Sequence, residues 1–457
     1  MAKSIDMVNG PLGRKIIRYA LPLAATGFLQ QLFNAADLAV VGRFAVDAAG
    51  QSIGTAAQAA VGSNGPIIGL LVNFFVGISL GSNVIIAQAI GHDDKDQIFK
   101  AVHTSVIVAV LGGLLLTLIG ELAAGSIVDV LGVPEEALDM AATYLRIYFL
   151  GMPVILLYNF LSAIFRSCGN TRTPLVALAL SGVVNVVLNL VFVIGFQRNV
   201  DGVAIATVIS NLISATVLFV SLLRTDLPVK ITPSKLRVDK GVLVRVLRIG
   251  VPSGVQSSLF SFSNIIVQSA VNGLGTVVMA ASSAALNLEV FAYYVLNSFG
   301  QACTTFVGQN HGAGKNERCK RVLKLCLGQS FVATGISCAV VFALGRPLLG
   351  IFNQDSAVID VGMIRLAYMF FAYLFSFAQE ILSGYLRGFG ISLLPAVCAL
   401  VGICGTRLAW IFTVFRAHPT FTTIMRAYPI SLAITAFAVF AATLWLRPSK
   451  RYPTQAV

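Results

Sequence analysis

The chain reads as long apolar runs separated by short polar, mostly basic breaks. A helix needs about 20 residues to cross the hydrocarbon core of a bilayer. Twelve runs reach that length, at 15–40, 54–80, 99–123, 138–165, 174–196, 203–223, 242–271, 284–309, 322–345, 358–386, 393–415 and 427–446. They are continuous rather than alternating, so they predict transmembrane helices and not the strands of a β-barrel. The expected fold is all-α and integral to a membrane.

The breaks set the orientation. With the N-terminus inside, 24 Lys and Arg fall on the inner side, among them Lys3, Arg14, Lys15, Arg18 and the group from Arg224 to Arg248. Only 5 fall outside: Arg43, Arg198, Arg346, Arg416 and Arg426. Basic residues gather on the cytoplasmic face. Both termini are therefore expected in the cytoplasm of a multi-pass protein of the inner or plasma membrane.

The longest polar connector, RTDLPVKITPSKLRVDKGVLVRVLR at 224–248, divides the spans six and six. This predicts an N-terminal lobe over 1–223, a basic linker over 224–241 and a C-terminal lobe over 242–457. An internal repeat supports the division. FRSCGNTRTP at 165–174 pairs with LRGFGISLLP at 386–395, so that Arg166 and Arg387, Gly169 and Gly390, Pro174 and Pro395 are each 221 apart. AQAIG at 87–91 pairs with GQNHG at 308–312 at the same offset, and Pro22 pairs with Pro252 at offset 230. An even number of helices precedes the second copy. The repeat is thus parallel, giving two six-helix bundles related by a pseudo-two-fold along the membrane normal, with a central cleft.

Composition narrows the function. Of the 457 residues 57% are hydrophobic and 11% charged, and mean hydropathy is +0.85. A soluble enzyme carries roughly 25% charge, and a disordered chain has few apolar residues. The net charge of +13 is a topology signal here rather than a nucleic-acid footprint. Seven cysteines without a CxxC indicate neither a disulfide framework nor a zinc site. No cleavable signal peptide is visible, and there is no GxxxxGK[ST] and no HExxH. The chain is not expected to be an enzyme or to hold a metal or cofactor; its energy comes from an ion gradient or a partner.

Sixteen of the 19 acids fall in loops, tails or span ends, and three fall inside spans: Asp37, Glu289 and Glu380. An ionised side chain at the bilayer centre costs a few kcal/mol even on lenient scales, so such residues usually face a cavity or a partner. Gln30, Asn34 and Asp37 are spaced i, i+4, i+7 on one helical face. Asn185 and Asn189, again one face, and Thr207 on the next span supply oxygens for a cation or proton site with Asp37. Hard cations take such ligands, so Na⁺ is a candidate occupant; ordinary interhelical hydrogen bonding is the competing reading. Glu380 lies 221 after Asn159. It either carries a proton or pairs with Arg365 or Arg407 on another helix. Glu289 precedes Phe291, Tyr293 and Tyr294, which line a ligand path or pack as an interfacial belt.

These residues together resemble the MATE (multidrug and toxic compound extrusion) family. The likeness covers residues 10 to 445 or so and rests on ALPLAATGFLQQLFNAADLAVVGRF, AQAIGHDDKDQ, GQNHGAGKNERCKR and the paired FRSCGNTRTP and LRGFG motifs. It implies an antiporter, coupled to Na⁺ or H⁺, that exports amphipathic and often cationic compounds. In the DinF-like branch the first helix carries an Asp, the fifth an Asn and an Asp, and the sixth a Thr. Asp37, Asn185 and Thr207 match, while Asn189 stands where that branch has its second acid. The NorM-like acid of the seventh helix falls at Phe260, and that of the tenth at Ser376, one turn before Glu380. The chain therefore follows the DinF-like pattern more closely, with Asp37, Asn185, Asn189 and Thr207 as the coupling site. Gln30, Asn34, Asn159, Glu289 and Glu380 are candidates for the substrate cavity or the C-terminal lobe. The expected partners are small organic molecules and membrane lipid, not nucleic acid, and the protein is expected to act as a monomer. Two alternatives come from other classes. A lipid or lipid-linked glycan flippase would need a strongly cationic cavity, yet only Arg146, Arg365 and Arg407 lie inside spans. An integral membrane enzyme would need His/Asp clusters at one membrane face, and none is evident.

Overall fold

The computed structural model describes residues 4–47, 50–130, 133 and 135–451. Lys3, counted above with the inner basic residues, lies outside them. Among the described residues nearly all regular structure is helical. In chain order the helices are α1 (Leu12–Phe44), α2 (Gly54–His92), α3 (Lys95–Val130), α4 (Glu135–Leu150), α5 (Met152–Ser167), α6 (Arg172–Leu190) and α7 (Val200–Leu223). They continue as α8 (Lys240–Asn272), α9 (Thr276–Gly312), α10 (Asn316–Ala343), α11 (Gly345–Phe352), α12 (Ser356–Gly388), α13 (Leu393–Ala399), α14 (Thr406–Trp410), α15 (Phe421–Leu446) and α16 (Pro448–Arg451). Short π-helical stretches at Val191–Gly195, Leu400–Gly405 and Ile411–Phe415 extend α6 and join α13 and α14 into one rod.

Nine of these rods are long and apolar enough to cross a membrane, and α4 with α5, bent by 50°, makes a tenth span. The bend has a local cause. Pro153 opens α5 without an N–H to give, and Gly113 of α3 leaves it room, since a Cβ there would lie 2.2 Å from the Pro153 Cα. The remaining two rods, α1 and α8, are of similar length but more polar. With them the twelve predicted spans are all accounted for.

Apolar side chains point outward at helical spacing. Leu111, Leu114, Leu115, Leu118 and Leu122 form such a stripe on α3, and Val176, Leu180, Val183 and Val187 form another on α6. In water such stripes would drive aggregation; in a bilayer they are the lipid-facing surface. Polar residues turn inward instead, including Asn64, Asn83, Asn185, Asn189, Glu289 and Arg407.

The chain divides into two compact units. One is built on Ala25–Ile86 and Lys95–Val246; the other on Ile5–Ala24, Ala87–Asp94 and the described part of Leu247–Val457. In the first, the basic connector is tied to α3. The Thr232 N–H donates to His103 Nε2 at 3.1 Å and the Asp239 N–H to Thr104 Oγ1 at 3.1 Å. Asp239 then opens α8 by accepting from the Val242 N–H at 2.9 Å, a bond that holds its carboxyl below the usual carboxylate range.

The sequence repeat appears as repeated backbone geometry. α5 and α12 end in the same Schellman turn. Gly169 N–H donates to Arg166 O and Asn170 N–H to Phe165 O; 221 residues on, Gly390 N–H donates to Arg387 O and Ile391 N–H to Leu386 O. Gly169 and Gly390 both stand at φ 82°, a conformation that costs an L-residue and not glycine. The ends of α2 and α9 form a second matched pair. There Asp93, at φ 57°, takes the left-handed position that Gly314, at φ 71°, fills in the later copy.

Candidate functional site

The first unit buries its acid among neutral donors. Gly182 of α6 lets α1 approach closely, because a Cβ there would fall 1.8 Å from the Phe33 ring. One turn after Phe33, Asp37 reaches α6 and α7. Asn189 Nδ2 donates to Asp37 Oδ1 at 2.5 Å, and the Thr207 hydroxyl lies 3.3 Å from Asp37 Oδ2 while also bonding Val203 O at 2.9 Å. Asn185 Oδ1 stands 3.4 Å from Asn189 Nδ2. Exposure is 7% for Asp37, 4% for Asn185 and 0% for Asn189. The structure thus brings together all four residues that the sequence grouped, although they come from three helices.

Three features of this site have no counterpart in the sequence reading. Asn189 Oδ1 is buried without a hydrogen-bond partner among the described residues, and the chain turns π-helical two residues later. Such stretches are frequent at functional sites. Tyr144 and Tyr148 of α4 also lie within electrostatic range of Asp37, their rings 6.0 Å apart. Their i, i+4 spacing was the available signal. Gln30 and Asn34 are exposed and take no part in the hydrogen bonds of the carboxylate. Asn159 bonds back to Ile155 O at 2.9 Å within its own helix.

The two other intramembrane acids each hold an arginine. Arg365 of α12 grips Glu289 of α9 with two parallel bonds, Nε to Oε2 at 3.0 Å and Nη2 to Oε1 at 2.7 Å, and spends Nη1 on Ser282 Oγ at 2.7 Å. Tyr373 donates to the Glu289 carbonyl at 3.3 Å. Glu380 pairs with Arg387 on its own helix at 3.2 Å, and Arg387 also bonds Gln256 Oε1 at 3.2 Å. Glu380 fits against α9 because Gly300 is there: a Cβ would lie 2.7 Å from the Glu380 Cγ. Asp37 therefore stands apart among the intramembrane acids, with no Lys or Arg within ion-pair distance among the described residues. No cluster of three or more His, Cys, Asp or Glu suited to a metal ion occurs among them either.

Lipid-facing stripes outside and polar groups turned inside define a multi-pass membrane protein. The MatE family profile matches residues 22–191 and 252–413, and the chain belongs to that family of transporters; it is not an enzyme. It is 28% identical over 437 residues to "Probable multidrug resistance protein YoeA" of Bacillus subtilis, with 93% of this chain and 92% of the relative covered. It is 23% identical to "Multidrug export protein MepA" of Staphylococcus saprophyticus, covering 76% and 79%. Among solved structures it superposes with a TM-score of 0.89 on an outward-facing multidrug resistance MATE family transporter, at 20% identity and with 98% and 99% covered.

Proposed function

We propose that the protein exports amphipathic, often cationic organic compounds in exchange for a cation that binds at Asp37, by alternating access. The observation that carries this is the buried Asp37 carboxylate, held by neutral donors from two other helices and left without a basic partner. A charge at that depth is costly and is kept where it does something. Exchange then requires that the coupling ion and the cargo disfavour one another, either at a shared site or through the conformation each holds. The multidrug resistance and multidrug export named for the two relatives support the class of cargo.

The coupling ion is H⁺ in this reading. Asn189 presents a hydrogen to Asp37, and the single Thr207 hydrogen is shared between Asp37 and the closer Val203 O; one carboxylate suffices for a proton. Dehydrating Na⁺ asks for several converging oxygens. A pH difference of one unit supplies about 1.4 kcal/mol per proton, enough to concentrate cargo about tenfold in a one-for-one exchange. The lobes are assigned to 1–223 and 242–457 with both termini cytoplasmic, and the working unit is a monomer.

The test is transport in proteoliposomes with pH and Na⁺ gradients imposed separately. A pH gradient alone should drive uptake of a cationic dye, and Asp37→Asn should abolish it at equal reconstitution. Strict Na⁺ dependence would overturn the choice of ion. Wild-type transport by Asp37→Asn would overturn the site.

A further inference from the structure

Among the described residues the most deeply buried charge is a cation, and no acid there pairs with it. Arg407 of α14 is 1% exposed and heads the large fully buried side chains. Its Nη1 donates to Asn264 Oδ1 at 2.9 Å and its Nε to Ser431 Oγ at 3.1 Å. The guanidinium carbon lies 4.3 Å from the Tyr428 ring centre and 5.3 Å from that of Phe260. None of these groups carries a negative charge, and no ion pair of Arg407 exists among the described residues. The nearby acid, Glu289, is already bound twice by Arg365. Aromatic faces and neutral acceptors soften a buried charge, but an ion in the interior is normally neutralised by an opposite one.

The position of Arg407 sharpens the point. Offset 230 makes Asn264 the mate of Asn34 and Val267 the mate of Asp37; offset 221 makes Tyr428 the mate of Thr207 and Ser431 that of Ser210. Arg407 falls one residue from the mate of Asn185. The second unit therefore carries, at the place corresponding to the Asp37 site, a valine for the carboxylate and a guanidinium beside the amide position. The sign of the charge is inverted. π-helical stretches at Leu400–Gly405 and Ile411–Phe415 flank Arg407 on both sides, as one follows Asn189. The Cys404 thiol lies within range of both Arg407 and Ser263. The fully buried Ser263 hydroxyl has the Cys404 thiol as its neighbour and no other hydrogen-bond partner among the described residues.

We infer that the second unit holds an anion site, built on the Arg407 guanidinium. It takes a single negative charge, as a carboxylate or a halide. Arg407 Nη2, for which no protein acceptor is present among the described residues, is the group that meets it. The Phe260 and Tyr428 rings provide apolar walls suited to the organic part of a carboxylate. Such a group arrives either as a free small anion or as the acidic end of a transported molecule. This site does not depend on the coupling reading at Asp37.

Trp410 gives a direct readout, because it sits one turn after Arg407 with its indole N–H on Thr423 O at 2.8 Å. The only other tryptophan is Trp445, so Trp445→Phe leaves a single reporter. The purified full chain in detergent is titrated with chloride, benzoate or benzamide, at ionic strength held by a bulky sulfonate. A saturable change in Trp410 emission with benzoate and none with benzamide is expected. Arg407→Gln should weaken it roughly ten- to a hundredfold, the loss of one charge-assisted hydrogen bond, while Arg407→Lys keeps most of it. A response to chloride as well marks a site for free anions; benzoate alone marks one for organic acids. Asp37→Asn should leave the titration unchanged. No saturable response to either anion, or an equal response in an Arg407→Gln protein that elutes and melts as a folded species, would overturn the inference.

Discussion

Gly91 and Gly312 stand back to back across two helix ends. A Cβ on Gly91 would fall 2.0 Å from the Gln309 carbonyl oxygen, and one on Gly312 would fall 2.0 Å from that of Gln88. The four residues are mates at offset 221, so each contact is the image of the other. His92 Nδ1, 2.6 Å from Gly312 O, ties the same two ends together, while Gln88 Nε2, 2.9 Å from Gly388 O, ties the end of α2 to that of α12. A methyl group has nowhere to go on either side unless the helices separate. Overpacking of this kind costs about 1–3 kcal/mol. Gly91→Ala and Gly312→Ala should each lower the melting temperature in detergent, and the double variant should lose less than the sum because one separation relieves both clashes. Strict additivity would show two independent contacts instead.

Glu289 and Arg365 form the most completely bonded ion pair in the chain. Breaking a buried pair from one side leaves a bare charge and costs about 3–5 kcal/mol, whereas replacing both partners with apolar groups is often neutral. Glu289→Gln should therefore reduce thermal stability and yield sharply, and Glu289→Leu with Arg365→Met should recover most of the loss. Glu380→Gln is expected to be milder, because Arg387 keeps Gln256. If Glu289→Gln melted with the wild type, the pair would have no structural role.

Asp93 carries a strain that its mate avoids. A non-glycine residue in the left-handed region costs on the order of 1 kcal/mol, and Gly314 escapes that cost at the equivalent turn. Asp93→Gly should raise stability by a few tenths to about 1 kcal/mol, while Gly390→Ala should lower it by at least as much. Paired melting curves decide it. A Gly390→Ala protein as stable as wild type would mean that the turn relaxes freely.

Orientation is open to a chemical test at Ser234, which is exposed within the connector. Ser234→Cys, in a background without native cysteines, should resist an impermeant thiol reagent added to intact cells and react after lysis. Ready labelling from outside would reverse the topology drawn from the basic residues.

All twelve spans were legible in the hydropathy pattern, because a bilayer imposes one length and one polarity on every crossing. The Asp37 group was legible for a related reason: polar residues are rare in spans, so those that recur at i, i+4 spacing have few partners to choose from. The pairing of arginines with acids was not. Sequence suggested Arg365 or Arg407 as partners for Glu380, but Glu380 rests on Arg387 and Arg365 belongs to Glu289, 76 residues away. That choice depends on which faces of α9 and α12 meet, and periodicity is silent on it. The elbow at Gly151 and the π-helical stretches were hidden likewise, since each depends on what a neighbouring helix leaves room for.

The polarity of α1 bears on how the chain enters the membrane at all. Synthesis delivers this rod before α2, α6 and α7, with Arg14, Lys15 and Arg18 near its start and Asp37 near its end, before Asn189 and Thr207 exist. An Asp in a crossing weighs against insertion, by about 2.5–3.5 kcal/mol at the helix centre on the biological scale. The next rod, α2, has an 18-residue window of mean hydropathy 2.0 and no Asp, Glu, Lys or Arg along its length. The two would then partition into lipid as a helical hairpin, the second carrying the first. Asn189 and Thr207 reach Asp37 only some 150 residues of synthesis later, so the carboxylate that defines the site spends its first moments in the bilayer sheltered by α2 alone.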